Sequence, residues 1–296
     1  MSFSAEVKEE LVKQLPVAKH CQIAELAAIL QYAIAVHKDE KGDFYIEMHE
    51  ESLFPTRKCF TLLQKTFNIG SVVETPAVRL TDTELVNKII LSIKYQDNSD
   101  TVSPLVMKSA CCKRAFLRGA FLSIGSMSNP EKGYHLEFVC ENIEQAVQIQ
   151  EVLHMFDIEA KIVQRKRYQV VYIKESEGIV ELLNVMGAHV ALMNLENLRI
   201  LKDMRNSINR RVNCEAANIT KTVNAATKQI EDIQYIRDHY GFDNLSENLR
   251  EIAVVRLEYP EATLKELGEC LEPKVGKSGV NHRLRKLSEL ADRLRG

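Results

Sequence analysis

The sequence predicts an α+β protein in which a duplicated αββαββ domain precedes an all-α domain that ends in a helix-turn-helix. Three observations support this. The order of apolar and turn-forming segments recurs about 90 residues along the chain. Two capped, amphipathic helical segments flank a short connection between residues 263 and 287. Between Pro273 and Gly296 there are seven Lys or Arg against two Asp or Glu, whereas the whole chain has a net charge of −2.

Composition and length favour a globular protein of more than one domain. The chain has 296 residues, of which 45% are hydrophobic and 27% charged. Its apolar runs are too short to span a bilayer, and the N-terminus lacks the apolar core of a signal peptide. Seven cysteines occur without a CxxC pair, which indicates reduced thiols. We therefore expect a cytoplasmic protein with no membrane contact.

The first half of the chain alternates helical and extended patterns. The expected elements, in order, are an opening helix over 1–16, an apolar helix rich in small residues over 23–36, a strand over 44–49, a helix over 55–67, and strands over 71–79 and 88–95. A polar segment, 96–104, is typical of a linker.

The same order then recurs in register. Ala24 and Leu26 match Ala115 and Leu117 at an offset of 91. The turn segments 40–42 and 131–133 both read Glu-Lys-Gly, again at an offset of 91. We therefore predict a duplicated domain over 1–198, with repeats at about 20–95 and 111–190, the second closing in a helix near 178–190.

Each repeat begins with a helix of small residues, which lets two helices cross closely. The segments Leu26-Ala-Ala-Ile-Leu-Gln-Tyr-Ala-Ile34 and Leu117-Arg-Gly-Ala-Phe-Leu-Ser-Ile-Gly125 resemble LAGLIDADG motifs of homing endonucleases. In those nucleases the eighth motif position holds an acidic metal ligand, but here it is Ala33 or Ile124. The resemblance implies a retained fold without catalysis. We expect no catalytic residues, no metal, no cofactor and no small-molecule substrate.

Basic residues on the expected strands leave the role of this domain open. They are Arg79, Lys88, Lys94, Lys161, Arg165, Lys166 and Arg167. They fit either a residual phosphate-binding surface or, as we favour, the ordinary polar face of a half-buried sheet. A surface for a protein partner is a further alternative.

The segment 199–215 is a basic connector to the C-terminal domain, 216–296. Its arginines Arg205, Arg210 and Arg211 are candidates for secondary phosphate contacts, and a flexible, solvated tether is the equal alternative. A long helix follows and ends at Gly241, with an apolar stripe over Ile219, Val223, Ala226, Ile230 and Ile233. Another helix is expected over 246–257.

The predicted helix-turn-helix lies near the C-terminus. Thr263 and Glu266 have the spacing of a capping box, and Ser278 is the expected N-cap of the second helix. That helix has an apolar stripe over Val280, Leu284, Leu287, Ala291 and Leu294. The opposite face is polar and basic, as in a recognition helix that enters the major groove of double-stranded DNA.

The expected DNA contacts divide by chemistry. Asn281 and Arg283 are expected to face base edges, with His282 as a further candidate. Lys274, Lys277, Arg285 and Lys286 are expected to contact phosphates. The complete predicted set also includes Thr263, Lys265, Ser278 and Gly279.

Strings along the whole chain resemble the WhiA regulators, among them Val212-Asn-Cys-Glu-Ala-Ala-Asn and Lys277-Ser-Gly-Val-Asn-His-Arg-Leu-Arg-Lys-Leu287. The resemblance implies a nucleoid-associated DNA-binding protein linked to transcription regulation, sporulation, cell division and chromosome segregation. The alternative is an adaptor whose N-terminal domain binds a protein partner while the helix-turn-helix only localises it.

Overall fold

The structure, a computed structural model, describes residues 2–48, 53–69, 79–97 and 99–296. The chain divides into two compact units, the first unit Met1–Lys202 and the second unit Asp203–Gly296. Helices and small antiparallel sheets make up the first unit, and helices the second, so the α+β prediction is confirmed. No helix in the described ranges is long and apolar enough to cross a membrane.

The first unit contains two copies of a helix-and-sheet arrangement. Its helices are α1 Phe3–Lys13, α2 Lys19–Tyr32, α3 Leu53–Phe67, α4 Thr83–Ile93, α5 Ala110–Ile124, α6 Ile143–His154 and α7 Ser176–Met186. Its strands are β1 Ala35–Lys38, β2 Phe44–Glu47, β3 Arg79–Leu80, β4 Gly125–Met127, β5 Leu136–Cys140, β6 Lys161–Arg165 and β7 Tyr168–Ile173. The antiparallel sheets have the orders β1-β2-β3 and β4-β5-β7-β6. One apolar core runs through both copies.

The strand expected over 88–95 is wrong, because most of this segment lies in α4. The buried residues Val86, Ile89, Ile90 and Ile93 follow a helical period, and Asp82 caps the helix by accepting a hydrogen bond from the Leu85 N–H. A run of β-branched residues is compatible with a strand, but this segment is a helix because its apolar residues can all be buried along one helical face. Of the strand expected over 71–79, only residue 79 falls within the described residues.

Two other boundaries also differ from the prediction. The helix expected over 23–36 ends at Tyr32, and β1 follows, with Val36 paired to Ile46. The helix expected near 178–190 ends at Met186, because Gly187 has a φ of +86° and closes the helix in the left-handed conformation.

The two copies meet where α2 and α5 cross. Ala28 and Gly119 are equivalent at the 91-residue offset, and they face each other at the crossing. A Cβ on Gly119 would lie 2.6 Å from the carbonyl oxygen of Glu25 and 2.9 Å from the Ala28 Cβ. The backbones therefore approach more closely than any larger residue at position 119 would permit.

A buried ionic cluster ties further helices to this crossing. The Glu25 carboxylate lies 3.2 Å from the Lys58 Nζ and 3.0 Å from the Arg118 Nε. Lys58 also donates to the carbonyls of Leu11 and Gln14, and Arg118 donates to the Met186 carbonyl. The cluster thus joins α2 to α3 and α5 and satisfies carbonyls at the ends of α1 and α7.

The second unit is entirely helical. Its elements are the C-terminal part of α8 His189–His239, then α9 Glu247–Glu258, α10 Leu264–Glu269 and α11 Lys277–Arg295. The helix α8 is continuous over 51 residues and includes the basic segment 199–215. Of the stripe expected to be buried, Ile233 is buried, but Ile219 and Val223 are 65% and 55% exposed. Helical periodicity alone did not reveal where the packing begins.

The turn between α10 and α11 folds back onto α10. The Val275 N–H donates to the Gly268 carbonyl at 3.0 Å. A Cβ on Gly268 would lie 2.0 Å from the Val275 carbonyl oxygen. Glycine at position 268 is therefore required for this turn to close.

We predict that Gly119→Ala destabilises the first unit by about 1–3 kcal/mol, because the helices must separate to admit the methyl group. The measurement is chemical unfolding of the full chain, monitored through a spectroscopic signal that comes from the first unit. Gly133→Ala is the matched control, because a Cβ there has no neighbour within 4 Å. Equal stability of the two variants would contradict the close crossing.

We predict that Gly268→Ala disrupts the turn and lowers the free energy of unfolding of the second unit by about 1–3 kcal/mol or more. The new methyl group would meet a backbone atom, the Val275 carbonyl oxygen, which cannot move aside as a flexible side chain could. Hydrogen exchange of the α11 amides should rise, whereas amides of the first unit should be unchanged. Gly276→Ser, in the same turn, is the control, since nothing lies within 4 Å of its Cβ position. Unchanged exchange in Gly268→Ala would show that the turn has room to adjust.

Candidate nucleic-acid interface

The first helix of the pair begins with the expected capping box. The Thr263 N–H donates to the Glu266 carboxylate at 2.7 Å, and the Glu266 N–H donates to the Thr263 hydroxyl at 3.4 Å. The backbone hydrogen bond holds the pKa of the Glu266 carboxyl below its usual value. The box fixes where α10 starts, although the helix is only six residues long.

The N-cap of α11 differs from the prediction. Gly276, rather than Ser278, is the N-cap, and its carbonyl accepts from the Val280 N–H at 3.1 Å. Ser278 is the second residue of the helix and makes no capping bond. The chain leaves the turn through Val275 and Gly276, so helical hydrogen bonding begins before the serine. Ser278 thereby becomes part of the exposed helix surface.

The apolar stripe of α11 is buried as expected. Val280, Leu284, Leu287 and Ala291 are buried, and Leu294 is half-buried. They pack with Ile233 and Ile236 of α8, Ile252 and Ala253 of α9, Leu267 of α10 and Leu271 in the turn that follows α10. This core holds the N-terminal turns of α11 at the surface of the unit.

The opposite face of α11 is a continuous polar surface, here called the recognition face. It consists of the exposed residues Lys277, Ser278, Asn281, His282, Arg285 and Lys286. They form pairs that recur every four residues, so they share one side of the helix. Arg285 also makes an exposed ion pair with Glu289, at 3.0 Å. The face presents amide, imidazole, hydroxyl and cationic groups, which are the groups that bind base edges and phosphates.

Arg283 lies beside this face rather than on it. Its side chain is 18% exposed, and its guanidinium lies 3.3 Å from the Glu251 carboxylate on α9. Glu251 also accepts a hydrogen bond from the Glu272 N–H in the turn, at 2.8 Å. Arg283 therefore joins α11 to α9 in the free protein. The sequence placed it among the outward residues, but helical spacing could not reveal an acidic partner 32 residues earlier.

The recognition face borders a cleft of about 220 Å³ that the sequence did not predict. Asn281 and Thr263 line it together with Lys221 and Gln229 of α8. The buried Arg256 also lines the cleft and donates a hydrogen bond to the Ala262 carbonyl at 2.6 Å. Lys221 therefore lies close to two predicted DNA-binding residues. Because Lys221 precedes Asn281 by 60 residues, no local spacing in the sequence indicated that the two residues lie close together.

The other predicted contacts lie on α8, α10 and α11 and in the turn between α10 and α11. Lys265 and Lys274 are exposed on α10 and in the turn. Gly279 is half-buried, and a Cβ there would lie 2.5 Å from the Val275 side chain. It therefore contributes close packing rather than a polar group. Arg205, Arg210 and Arg211 are exposed on α8.

The eighth positions of the two LAGLIDADG-like segments lie at the C-terminal ends of α2 and α5. Ala33 caps α2, and Ile124 is the last residue of α5. The nearby Asp39 accepts the N–H groups of Lys41 and Asp43 in the β1-β2 turn. Among the described residues, the cluster suited to hold a metal ion lies instead at the N-terminal ends of these helices, at His20, Cys21, Cys111 and Cys112.

Basic residues of the second sheet are partly engaged within the protein. The Arg165 guanidinium lies 3.1 Å from the Glu137 carboxylate, and Arg167 donates to the Tyr168 hydroxyl at 2.6 Å. The interpretation favoured from the sequence, the ordinary polar face of a half-buried sheet, stays a prediction.

Comparison with known proteins gives matches along the chain. A family model described as "WhiA LAGLIDADG-like domain" matches residues 113–205, and one described as "WhiA C-terminal HTH domain" matches residues 208–291. The chain is 52% identical to the "Probable cell division protein WhiA" of Lachnoclostridium phytofermentans, with 100% of both chains covered. It is 45% identical to the protein of the same name from Lachnospira eligens, with 100% of this chain and 98% of that one covered.

A solved structure is similar over nearly the full length. The crystal structure of full-length DUF199/WhiA from Thermatoga maritima matches with a TM-score of 0.58 and 26% identity, covering 99% of each chain. With relatives this similar over its entire length, the chain belongs to the WhiA family.

Proposed function

We propose that this protein is a sequence-specific DNA-binding regulator of cell division that reads DNA through the recognition face of α11. The observation that carries the proposal is the single exposed stripe of polar and cationic side chains at the N-terminal half of that helix. A helix of this kind fits the major groove of B-form DNA, which is about 12 Å wide.

The charge distribution supports the same interaction. The segment from Pro273 to Gly296 has an excess of five positive charges in a chain whose net charge is −2. Cationic side chains concentrated beside the recognition face favour phosphates, while the acidic remainder disfavours nonspecific wrapping. Asn281 and His282 are positioned to meet base edges, and Lys277, Arg285 and Lys286 to meet phosphates. Lys221 and Lys265 extend the phosphate contacts around the cleft.

The first unit contributes no cleavage chemistry in this proposal. Alanine and isoleucine stand where a LAGLIDADG nuclease requires acidic metal ligands, and neither side chain can bind a cation. We propose that the unit acts with the helix-turn-helix in the cell-division role named for the relatives. Transcription regulation, nucleoid association, chromosome segregation and sporulation are proposed for this chain on the family resemblance.

We predict that Asn281→Ala and Lys277→Ala weaken DNA binding differently. Asn281→Ala should cost about 1–3 kcal/mol on a site selected from a random duplex library and have little effect on random duplexes. Lys277→Ala should weaken both similarly and reduce the salt slope by about 1. Fluorescence anisotropy at several salt concentrations provides the measurement. Lys41→Ala, an exposed lysine of the first unit, is the control.

If Asn281→Ala weakened selected and random duplexes equally, its base-reading role would be wrong. If neither variant changed the affinity relative to Lys41→Ala, α11 would not be the DNA-binding helix.

A second prediction concerns Arg283, which we propose exchanges Glu251 for a base edge when DNA binds. Arg283→Ala should weaken binding to the selected site by about 1–3 kcal/mol, because a bidentate contact to guanine is lost. Glu251→Gln should preserve or raise the affinity, because the guanidinium is released from its partner at 3.3 Å. Both variants are measured by anisotropy on selected and random duplexes. Equal losses for the two variants would assign Arg283 to holding α11 against α9.

A further inference from the structure

Four potential metal ligands converge where α2 and α5 begin. His20 and Cys21 lie in the first turn of α2, and Cys111 and Cys112 in the first turn of α5. Their ligand atoms all lie within 4.8 Å of one another. The His20 Nδ1 is 3.1 Å from the Cys112 Sγ and 3.4 Å from the Cys21 Sγ. The four side chains come from two segments about 90 residues apart in sequence.

The internal duplication explains why these residues meet. At the 91-residue offset that aligns the repeats, His20 corresponds to Cys111, and Cys21 corresponds to Cys112. The two pairs are therefore equivalent positions of the two copies, as are Ala28 and Gly119 at the crossing. In this chain the packing of α2 against α5 also brings their equivalent first turns together.

The ligand set has a definite chemical preference. Three thiols and one imidazole form the Cys₃His set of structural zinc sites, which are four-coordinate and closed. Zn–S bonds of about 2.3 Å and Zn–N bonds of about 2.0–2.1 Å in a tetrahedron place neighbouring ligand atoms about 3.6–3.8 Å apart. The separations from the His20 Nδ1 are slightly shorter, so small rotamer changes would open the tetrahedron.

Burial of the four residues follows a regular pattern. Cys21 and Cys112 are only 6% and 4% exposed and pack against Ala24 and Ala115. His20 and Cys111 are exposed, so an ion can enter from solvent. The site is thus half enclosed by the protein and half open to water.

We propose that His20, Cys21, Cys111 and Cys112 bind one zinc-class divalent ion that joins the first turns of α2 and α5. The His20 Nδ1 donates its lone pair, and each cysteine exchanges its S–H bond for an S–metal bond and releases its proton to water. No electron transfer is involved. The complete ligand set leaves no open position, so the ion is structural. It lies about 20 Å, the length of α2, from the ends where Ala33 and Ile124 replace the nuclease ligands.

The site was absent from the sequence-based prediction, which expected no metal. Zinc motifs are recognised by short ligand spacings such as CxxC, whereas here each segment supplies an adjacent pair. Only the duplicated fold brings the pairs together.

The test measures metal binding by the full chain. The reduced protein is stripped with a chelator, incubated with zinc chloride and desalted, and its zinc content is measured by mass spectrometry. About one equivalent should remain in the native chain and far less in His20→Ala and Cys111→Ser. These two variants remove exposed ligands and leave the core intact. Cys214→Ser and Cys270→Ser, which replace exposed cysteines elsewhere, should retain the ion.

Two further measurements make the outcome decisive. Cobalt(II) in place of zinc should give the intense visible absorption of a tetrahedral thiolate site, and the absorption should be lost in Cys111→Ser. Zinc should raise the thermal unfolding temperature of the native chain but not that of His20→Ala. Equal zinc contents in the native chain and both variants would overturn the proposal. So would a reduced native chain that keeps no zinc and instead forms a disulfide among these cysteines on oxidation.

Discussion

The close approach of α2 and α5 is the contact on which the first unit depends. At the crossing, Gly119 lies against the Glu25 carbonyl and the Ala28 side chain, with no room for another methyl group. Because the Glu25 side chain also pairs with Lys58 and Arg118, the same few residues set the helix separation and anchor three further helices. Because the desolvation of buried charges offsets their mutual attraction, a cluster of this kind is weak evidence for net stability. The two sheets are then positioned by the helices that the crossing holds together.

The crossing and the C-terminal ends of α2 and α5 have different structural requirements. Close packing at the crossing requires small side chains, and Ala28 and Gly119 are small. Ala33 and Ile124 stand at the positions where LAGLIDADG nucleases carry acidic metal ligands. At the N-terminal ends of the two helices, equivalent positions lie close together. The N-terminal ends carry the thiols and imidazole for which we infer a metal.

In the second unit, a small apolar core fixes the orientation of α11 and therefore of its recognition face. The apolar stripe of α11 and the return of the turn over Gly268 fix how that helix lies on the rest of the unit. Glu251 links the turn to Arg283, and the Arg295 guanidinium pairs with the buried Asp232 of α8 at 2.7 Å. The exposed polar residues therefore project from a helix held along its length, which suits the DNA readout that we propose.

The sequence by itself determined the fold class, the duplication, the capping box at Thr263 and the buried stripe of α11, because each depends on local spacing or on repeated order. It misassigned 88–95 because a β-branched run fits a strand as well as a buried helix face. Contacts between distant segments were decided only in the tertiary structure. These include the pairing of Arg283 with Glu251 and the meeting of the His20 and Cys111 pairs. Periodicity reports which side of an element is apolar, but only packing determines which polar groups find each other.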